Sequence, residues 1–188
     1  MSGEELHKIG RDGAIRAKDW LERTTRVDVK WINPGLVEKL EFQWTDGTKF
    51  SFDLGGCLRS GEFHGQEFYA EVKKYSTVGN QPGEYEEYLA KCYRAFSLLP
   101  ARCDHFFWIT WHPFSQTKWQ RLCGPDEVES AVKAHSAKCL GDSSLSREMC
   151  ETVADRLWLI VLSDRQEELT IEEADLDHVI ALQRSRNR

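Results

Sequence analysis

Apolar and polar residues follow regular patterns along most of the chain. Apolar residues recur at helical spacing over about 10–23, which predicts a first helix. Alternating apolar and polar residues then predict three short strands, at about 27–31, 40–44 and 50–54. The turn Thr45-Asp46-Gly47 joins the last two strands as a hairpin, and Gly55-Gly56 is expected to end the second of them.

The segment EFYAEVKKY, at 67–75, predicts a fourth strand with two distinct faces. One face holds Phe68, Ala70 and Val72, and the other holds Tyr69, Glu71 and Lys73. Because the second face is largely polar, we expect it to point away from the core. Asp53 is expected to do the same in the third strand, since Phe50 and Phe52 take the core-facing side of that strand.

The second half of the chain predicts a further series of helices and strands. A helix opens at Asn80-Gln81-Pro82-Gly83 and closes at Pro100. The almost continuously apolar HFFWITW, at 105–111, predicts a strand that is covered on both faces. The later elements are helices near 126–138 and 146–155, a strand at 157–162 and a final helix near 171–184. This order predicts an α/β (α+β) fold in which a mixed central sheet is flanked by helices.

Length and composition narrow the class of protein. A chain of 188 residues can bury one good core, so we expect a single domain over 1–188 with its core at about 9–165. Apolar residues make up 40% of the chain, which excludes a disordered protein. The net charge of −6 has the wrong sign for holding nucleic acid by bulk electrostatics. No apolar run resembles a signal peptide or a membrane helix, so we expect a cytoplasmic protein without a membrane partner.

The third and fourth strands contain the candidate chemistry. Adjacent antiparallel strands would bring Asp53, Glu71 and Lys73 together. Mg²⁺, with Mn²⁺ as a substitute, would be held by Asp53, Glu71 and the backbone carbonyl of Val72, and would support hydrolysis of a phosphodiester. Lys73 would orient the attacking water or stabilise the developing charge. The alternative is an exposed cross-strand ion pair worth about 0.2–1 kcal/mol.

These residues resemble the motif of the PD-(D/E)XK nuclease superfamily, which has the restriction-endonuclease-like fold. FDLGG at 52–56 and Glu71-Val72-Lys73 match the motif, and IGRDGAIRAKDWLE at 9–22 looks like the first helix of the family. The order of predicted helices and strands also resembles that of the family over about 9–112. The resemblance implies a metal-dependent nuclease that hydrolyses DNA, with a role in prokaryotic defence or DNA processing suggested by analogy alone.

The resemblance also bears on two helices. Lys91, on the helix after the motif, occupies a place where family members often have a polar residue that contacts phosphate or water. Many members have a metal-binding glutamate on the first helix, and the aligned position here is Ala14. Asp19 or Glu22 would have to substitute from another turn; otherwise the site relies on two carboxylates.

Other functions stay open on the sequence alone. The net negative charge and Ala14 favour a catalytically inactive nuclease-fold module that binds a partner protein or nucleic acid. An RNA-cleaving effector would use the same metal chemistry. Endonuclease and exonuclease activity are equally compatible with these residues, and recognition could come from a homodimer or from a protein partner.

Histidine and cysteine offer a separate set of candidate ligands. His105 and His112 flank a buried strand and are interpreted as hydrogen-bonded boundary residues rather than metal ligands. The six cysteines include no CxxC pair, so free thiols are expected. The grouping that could hold a structural zinc ion is Cys123, His135, Cys139 and Cys150. Its spacing matches no zinc module, so buried thiols are favoured.

Overall fold

The computed structural model describes residues 3–34, 37–75 and 79–186. Its helices are α1 (Gly3–Arg23), α2 (Gln81–Leu98), α3 (Pro125–Ala134), α4 (Ser136–Cys139), α5 (Arg147–Ala154), α6 (Asp164–Glu167) and α7 (Glu173–Arg186). Its strands are β1 (Val27–Ile32), β2 (Glu41–Gln43), β3 (Lys49–Ser51), β4 (Leu54–Leu58), β5 (Glu67–Lys73), β6 (His105–Thr110) and β7 (Leu157–Val161). Short 3₁₀ turns lie at Val37–Lys39, Pro100–Arg102 and Gln116–Arg121.

The central sheet has five strands in the order β1-β4-β5-β6-β7. The pairs β1–β4 and β4–β5 are antiparallel, whereas β5–β6 and β6–β7 are parallel. The strands β2 and β3 form a separate two-stranded hairpin. The predicted mixed sheet flanked by helices is therefore confirmed, as is the strand at 105–110 that is buried on both faces.

The predicted third strand is in fact two strands in different sheets. It breaks after Ser51, and Gly55 and Gly56 lie inside β4 rather than at its end. A Cβ atom on Gly56 would overlap the Asp28 carbonyl oxygen, and one on Gly55 would lie 2.8 Å from a methyl carbon of Leu40. The glycines therefore allow close approach to β1 and to the hairpin, and the prediction that they end the strand was wrong.

Different helices cover the two faces of the central sheet. On one face α1 packs through Ala14, Ala17 and Leu21 in a cluster with Phe68, Ala70 and Val72 of β5. On the other face the hairpin and α2 pack around Tyr69 and Trp108, and α3 and α5 pack against α2. Polar side chains on the Tyr69 face of β5 therefore lie beneath a helix.

The last third of the chain departs from its predicted pattern in two places. The helix predicted near 126–138 is divided at His135 into α3 and α4. The short helix α6 was not predicted, and a serine at 163 caps it by accepting the Gln166 N–H. In the part of the chain that the structure describes, no helix is both long and apolar enough to cross a membrane.

Candidate active site

Asp53 lies where the chain leaves the hairpin and enters the central sheet. It occupies the gap between β3 and β4, directly after the fully buried Phe52. The Asp53 N–H donates to the Ala70 carbonyl at 2.9 Å, and the Asp53 carbonyl accepts the Asn33 N–H at 2.9 Å. These bonds fix the backbone on both sides, so the side chain stands at the start of β4 beside β5.

Glu71 lies on the face of β5 that α2 covers. The residue is only 6% exposed, and Tyr69 on the same face is fully buried. Our expectation that this face points away from the core was wrong for Glu71. The alternation within 67–75 shows that Tyr69 and Glu71 share a face, but it does not show that a helix lies over that face.

The side chains assigned to the site by sequence lie together here. Nζ of Lys73 lies 3.0 Å from Oε1 of Glu71, and Nζ of Lys91 lies 3.4 Å from the same oxygen. The antiparallel register of β4 and β5, continued by one residue, places Asp53 opposite Glu71. We refer to Asp53, Glu71, Lys73 and Lys91 as the acid–lysine cluster.

The electrostatics of the acid–lysine cluster are strained. Burial, followed by the negative charge of Glu71, raises the pKa of Asp53 to about 7, although nearby lysines and a backbone N–H oppose the shift. Burial works against the charge of Lys73, but the two carboxylates outweigh it and raise the pKa of Lys73. Within the described residues, the buried Oε2 of Glu71 has no hydrogen-bond partner. An additional positive charge between the carboxylates would relieve both their repulsion and this unsatisfied oxygen.

The backbone of Val72 contributes to the same place. Oδ2 of Asp53 accepts the Val72 N–H at 2.8 Å. In an extended strand the N–H and C=O of one residue point to the same edge, so the Val72 carbonyl also faces the Asp53 side. The structure therefore offers the two carboxylates and this carbonyl as oxygen donors from one edge of β5.

The first helix lies on the other face of β5. A Cβ atom on Gly13 would lie 2.9 Å from Cβ of Lys74, and Ala14 is buried in the cluster that contains Val72. Of the two acids considered as replacements for a first-helix ligand, Glu22 binds Lys18 at 2.6 Å. Asp19 is exposed and lines a surface cleft with the arginines of the same helix. The carboxylates of the acid–lysine cluster come from β5 and from the start of β4.

The two candidate histidines have separate hydrogen-bond partners. The Nε2 atom of His105 lies 2.7 Å from Oε1 of Gln66, and the indole N–H of Trp158 donates to His105 Nδ1 at 3.1 Å. The Nδ1 atom of His112 lies 2.8 Å from the carbonyl oxygen of Pro113. The interpretation of both residues as hydrogen-bonded boundary positions is confirmed.

All six cysteines are free thiols. Sγ of Cys139 donates to the Ala90 carbonyl at 3.7 Å, and Sγ of Cys123 lies 3.8 Å from the Tyr85 hydroxyl. His135 instead faces a glutamate of α2 at 3.5 Å. Across residues 3–34, 37–75 and 79–186, no three His, Cys, Asp or Glu side chains are grouped closely enough to hold a metal ion.

The sequence interpretation missed a third carboxylate beside Lys73. Oε2 of Glu84 lies 3.7 Å from Nζ of Lys73, and the Tyr75 hydroxyl donates to Glu84 at 2.9 Å. Glu84 lies in the first turn of α2, where an acidic residue is common because it complements the helix dipole. Because the helix dipole alone explains an acid at this position, the sequence did not indicate that Glu84 lies in the site.

Comparisons with known proteins add little. No family model matches the chain, and no curated protein matches it. A solved structure of the Moraxella osloensis Cap4 SAVED/CARF-domain containing receptor aligns with 94% of this chain at 12% identity and a TM-score of 0.42. The aligned region is 37% of the length of that receptor chain. A similarity this low supports no inference about function.

Proposed function

We propose that this protein is a metal-dependent nuclease that hydrolyses phosphodiester bonds of DNA. The observation that carries the proposal is the pair Asp53 and Glu71, of which Glu71 is buried and Asp53 is partly buried. The two carboxylates repel each other, and one Glu71 oxygen has no hydrogen-bond partner within the described residues. An ion pair at the surface would not place two repelling carboxylates side by side with one of their oxygens unpartnered. The resemblance of this pair and Lys73 to the PD-(D/E)XK motif supports the same chemistry.

The oxygen donors fit a hard divalent cation. Asp53, Glu71 and the Val72 carbonyl would hold Mg²⁺, or Mn²⁺ in its place, because these cations prefer carboxylate and carbonyl oxygens. The bound cation would activate a water molecule and neutralise charge on the phosphate. With two carboxylates, the remaining coordination positions are left to water and substrate.

The lysines of the acid–lysine cluster would act on the substrate rather than on the cation. Lys73 is held charged by its carboxylate neighbours, so it can donate a hydrogen bond to an oxygen that gains charge in the transition state. Lys91 approaches Glu71 from α2 and adds a second positive charge at the same point. Both ammonium groups come from regular elements, which keeps them in place before substrate arrives.

A direct assay tests the proposal. Purified protein is incubated with plasmid, linear duplex DNA, single-stranded DNA and RNA, with Mg²⁺, Mn²⁺ or a chelator. We expect cleavage of DNA that requires the cation, and the chelator should stop it without lowering the melting temperature by more than a few degrees. If the protein cleaves only RNA, the proposed substrate becomes RNA instead of DNA.

A second outcome of the same assay bears on the inactive alternative. Two lysines already occupy Oε1 of Glu71, and Ala14 stands where family members often have a metal ligand. Both features favour a binding module without catalysis. Absence of cleavage on every substrate, together with measurable nucleic-acid binding, would support that alternative and contradict the nuclease proposal.

A further inference from the structure

Lys73 lies between two carboxylates, and the proposed nuclease chemistry uses only one of them. Nζ of Lys73 is 3.0 Å from Glu71 and 3.7 Å from Oε2 of Glu84. The side chains of Lys73 and Glu84 are 23% and 28% exposed, so their interaction is less screened by water than a surface pair. Glu84 therefore competes with Glu71 for the same ammonium.

Glu84 is held in a fixed position. The Tyr75 hydroxyl lies 2.9 Å from both carboxylate oxygens and donates to them. Glu84 also lies in the first turn of α2, and the start of that helix is anchored by the fully buried Gln81. Gln81 accepts a hydrogen bond from the Thr110 hydroxyl at 2.8 Å and donates to the His112 carbonyl at 3.2 Å. A carboxylate placed this firmly can receive a charged partner without rearranging.

The proposed cation site makes this second carboxylate useful. An ammonium on Oε1 of Glu71 competes with any cation that binds the same carboxylate. Two ammonium groups, those of Lys73 and Lys91, already contact that oxygen. A divalent cation bound through Oε2 of Glu71, which has no hydrogen-bond partner within the described residues, would repel both ammonium groups on Oε1, and Glu84 is the carboxylate beside Lys73.

We propose that Glu84 is a positioning residue that accepts the ion pair of Lys73 when Glu71 binds a divalent cation. The inference rests on the proposed function, because it concerns the same site. Lys73 then stays charged and stays within the site, and Glu71 is released for the cation. Tyr75 holds Glu84 in the orientation that receives Lys73.

The test compares Glu84→Gln with the wild type by calorimetric titration of Mg²⁺ and by single-turnover cleavage. Glutamine keeps the shape and removes the charge, so Lys73 loses the carboxylate that would receive it when Glu71 binds the cation. We expect Mg²⁺ affinity to fall by about three- to tenfold and kcat to fall by about tenfold with little change in KM. Glu84→Asp should restore part of both, and Tyr75→Phe should give a smaller loss of the same kind.

Glu87→Gln is the matched control, because Glu87 is an exposed residue of the same helix. It should leave Mg²⁺ affinity and kcat unchanged. If Glu84→Gln binds Mg²⁺ and cleaves as the wild type does, the positioning role is overturned while the nuclease proposal stands. If the wild type binds Mg²⁺ but cleaves nothing, the nuclease proposal fails and the calorimetric comparison alone decides the role of Glu84. A wild type that binds no Mg²⁺ overturns both.

Discussion

Two carboxylate–lysine pairs in this protein have similar distances and very different surroundings. In the hairpin, Nζ of Lys49 lies 2.6 Å from Oε1 of Glu41, and the lysine side chain is 67% exposed. In the central sheet, Lys73 lies 3.0 Å from Glu71, whose side chain is 8% exposed. The hairpin pair lies at the surface, whereas the Glu71 pair is joined by Asp53 and Lys91.

The comparison shows why distance alone does not identify a functional pair. An exposed pair is screened by water and contributes about 0–1 kcal/mol to stability. A buried pair loses hydration, and this cost can exceed the Coulombic attraction, so its presence is weak evidence for a stabilising role. At Glu71 the loss of hydration is accompanied by a second carboxylate whose pKa is raised to about 7. The buried pair therefore carries the chemical proposal, and the hairpin pair supplies its control.

The largest expected effect comes from Glu71→Gln. Glutamine keeps the shape and removes the charge that binds the cation, so cleavage should fall by about 10³-fold or more, beyond the loss of a single transition-state donor. The variant should fold, because the removed charge is repelled by Asp53 and Lys73 keeps Glu84 as an ion-pair partner. Cleavage rate and Mg²⁺ titration measure the outcome. The matched variant Glu41→Gln should cleave as the wild type does, and equal losses in the two variants would contradict the distinction between the pairs.

Lys73→Met separates catalysis from cation binding. Methionine keeps the aliphatic stem and removes the ammonium. The variant should bind Mg²⁺ at least as tightly as the wild type, because the ammonium competes for Glu71. Cleavage should still fall by about 10²-fold, the scale for one preorganised donor. Lys49→Met is the control, and retained cleavage in Lys73→Met would remove Lys73 from the catalytic assignment.

The sequence predicted the elements of the fold better than the surroundings of the site. Alternation located β1 and β5, and a nearly continuous apolar run located β6, because each of these patterns is local. It could not show that Gly55 and Gly56 lie inside a strand, because the reason is the close approach of β1 and the hairpin, which lie elsewhere in the chain. Alternation in β5 correctly grouped Glu71 with Lys73. The position of Glu84 beside Lys73 depends on how α2 crosses β5, which no local pattern specifies. The single domain expected over 1–188 stays a prediction.

Asp53→Asn tests the strain in the acid–lysine cluster through stability alone. The folded protein raises the pKa of Asp53 from 3.8 to about 7, so the folded state binds this proton more tightly than the unfolded state does. The stability that protonated Asp53 gives the folded protein is fully present below about pH 4 and is lost as the pH rises towards 7. Asparagine does not ionise. Without metal, the variant should melt a few degrees above the wild type at pH 8, with the difference disappearing towards pH 4.

Asp46→Asn is the control for this pH dependence and should have the opposite sign. The Thr48 hydroxyl and N–H donate to Asp46 and lower its pKa. Its contribution to stability is therefore present above the ordinary pKa of an aspartate and is lost as the pH falls. The variant should melt slightly below the wild type at pH 8. A drop in melting temperature for Asp53→Asn at pH 8 as well would show that the cluster is a stabilising ion-pair network.

The smallest expected effect belongs to the hairpin pair, and it sets the lower limit of the comparison. Lys49 and Glu41 face each other across β2 and β3 in the Glu41–Ser51 and Gln43–Lys49 register, as diagonal neighbours. Such a pair contributes through a cross-strand contact that water screens. A double-mutant cycle with Glu41→Gln and Lys49→Met should give a coupling free energy below about 1 kcal/mol. That coupling should shrink in 1 M salt, where the screening length falls to about 3 Å. The same cycle on Glu71 and Lys73 should keep most of its coupling in salt, because their side chains are only 8% and 23% exposed. Equal salt sensitivity in both cycles would mean that the buried pair is hydrated, and the case for a special site at Glu71 would lose its physical basis.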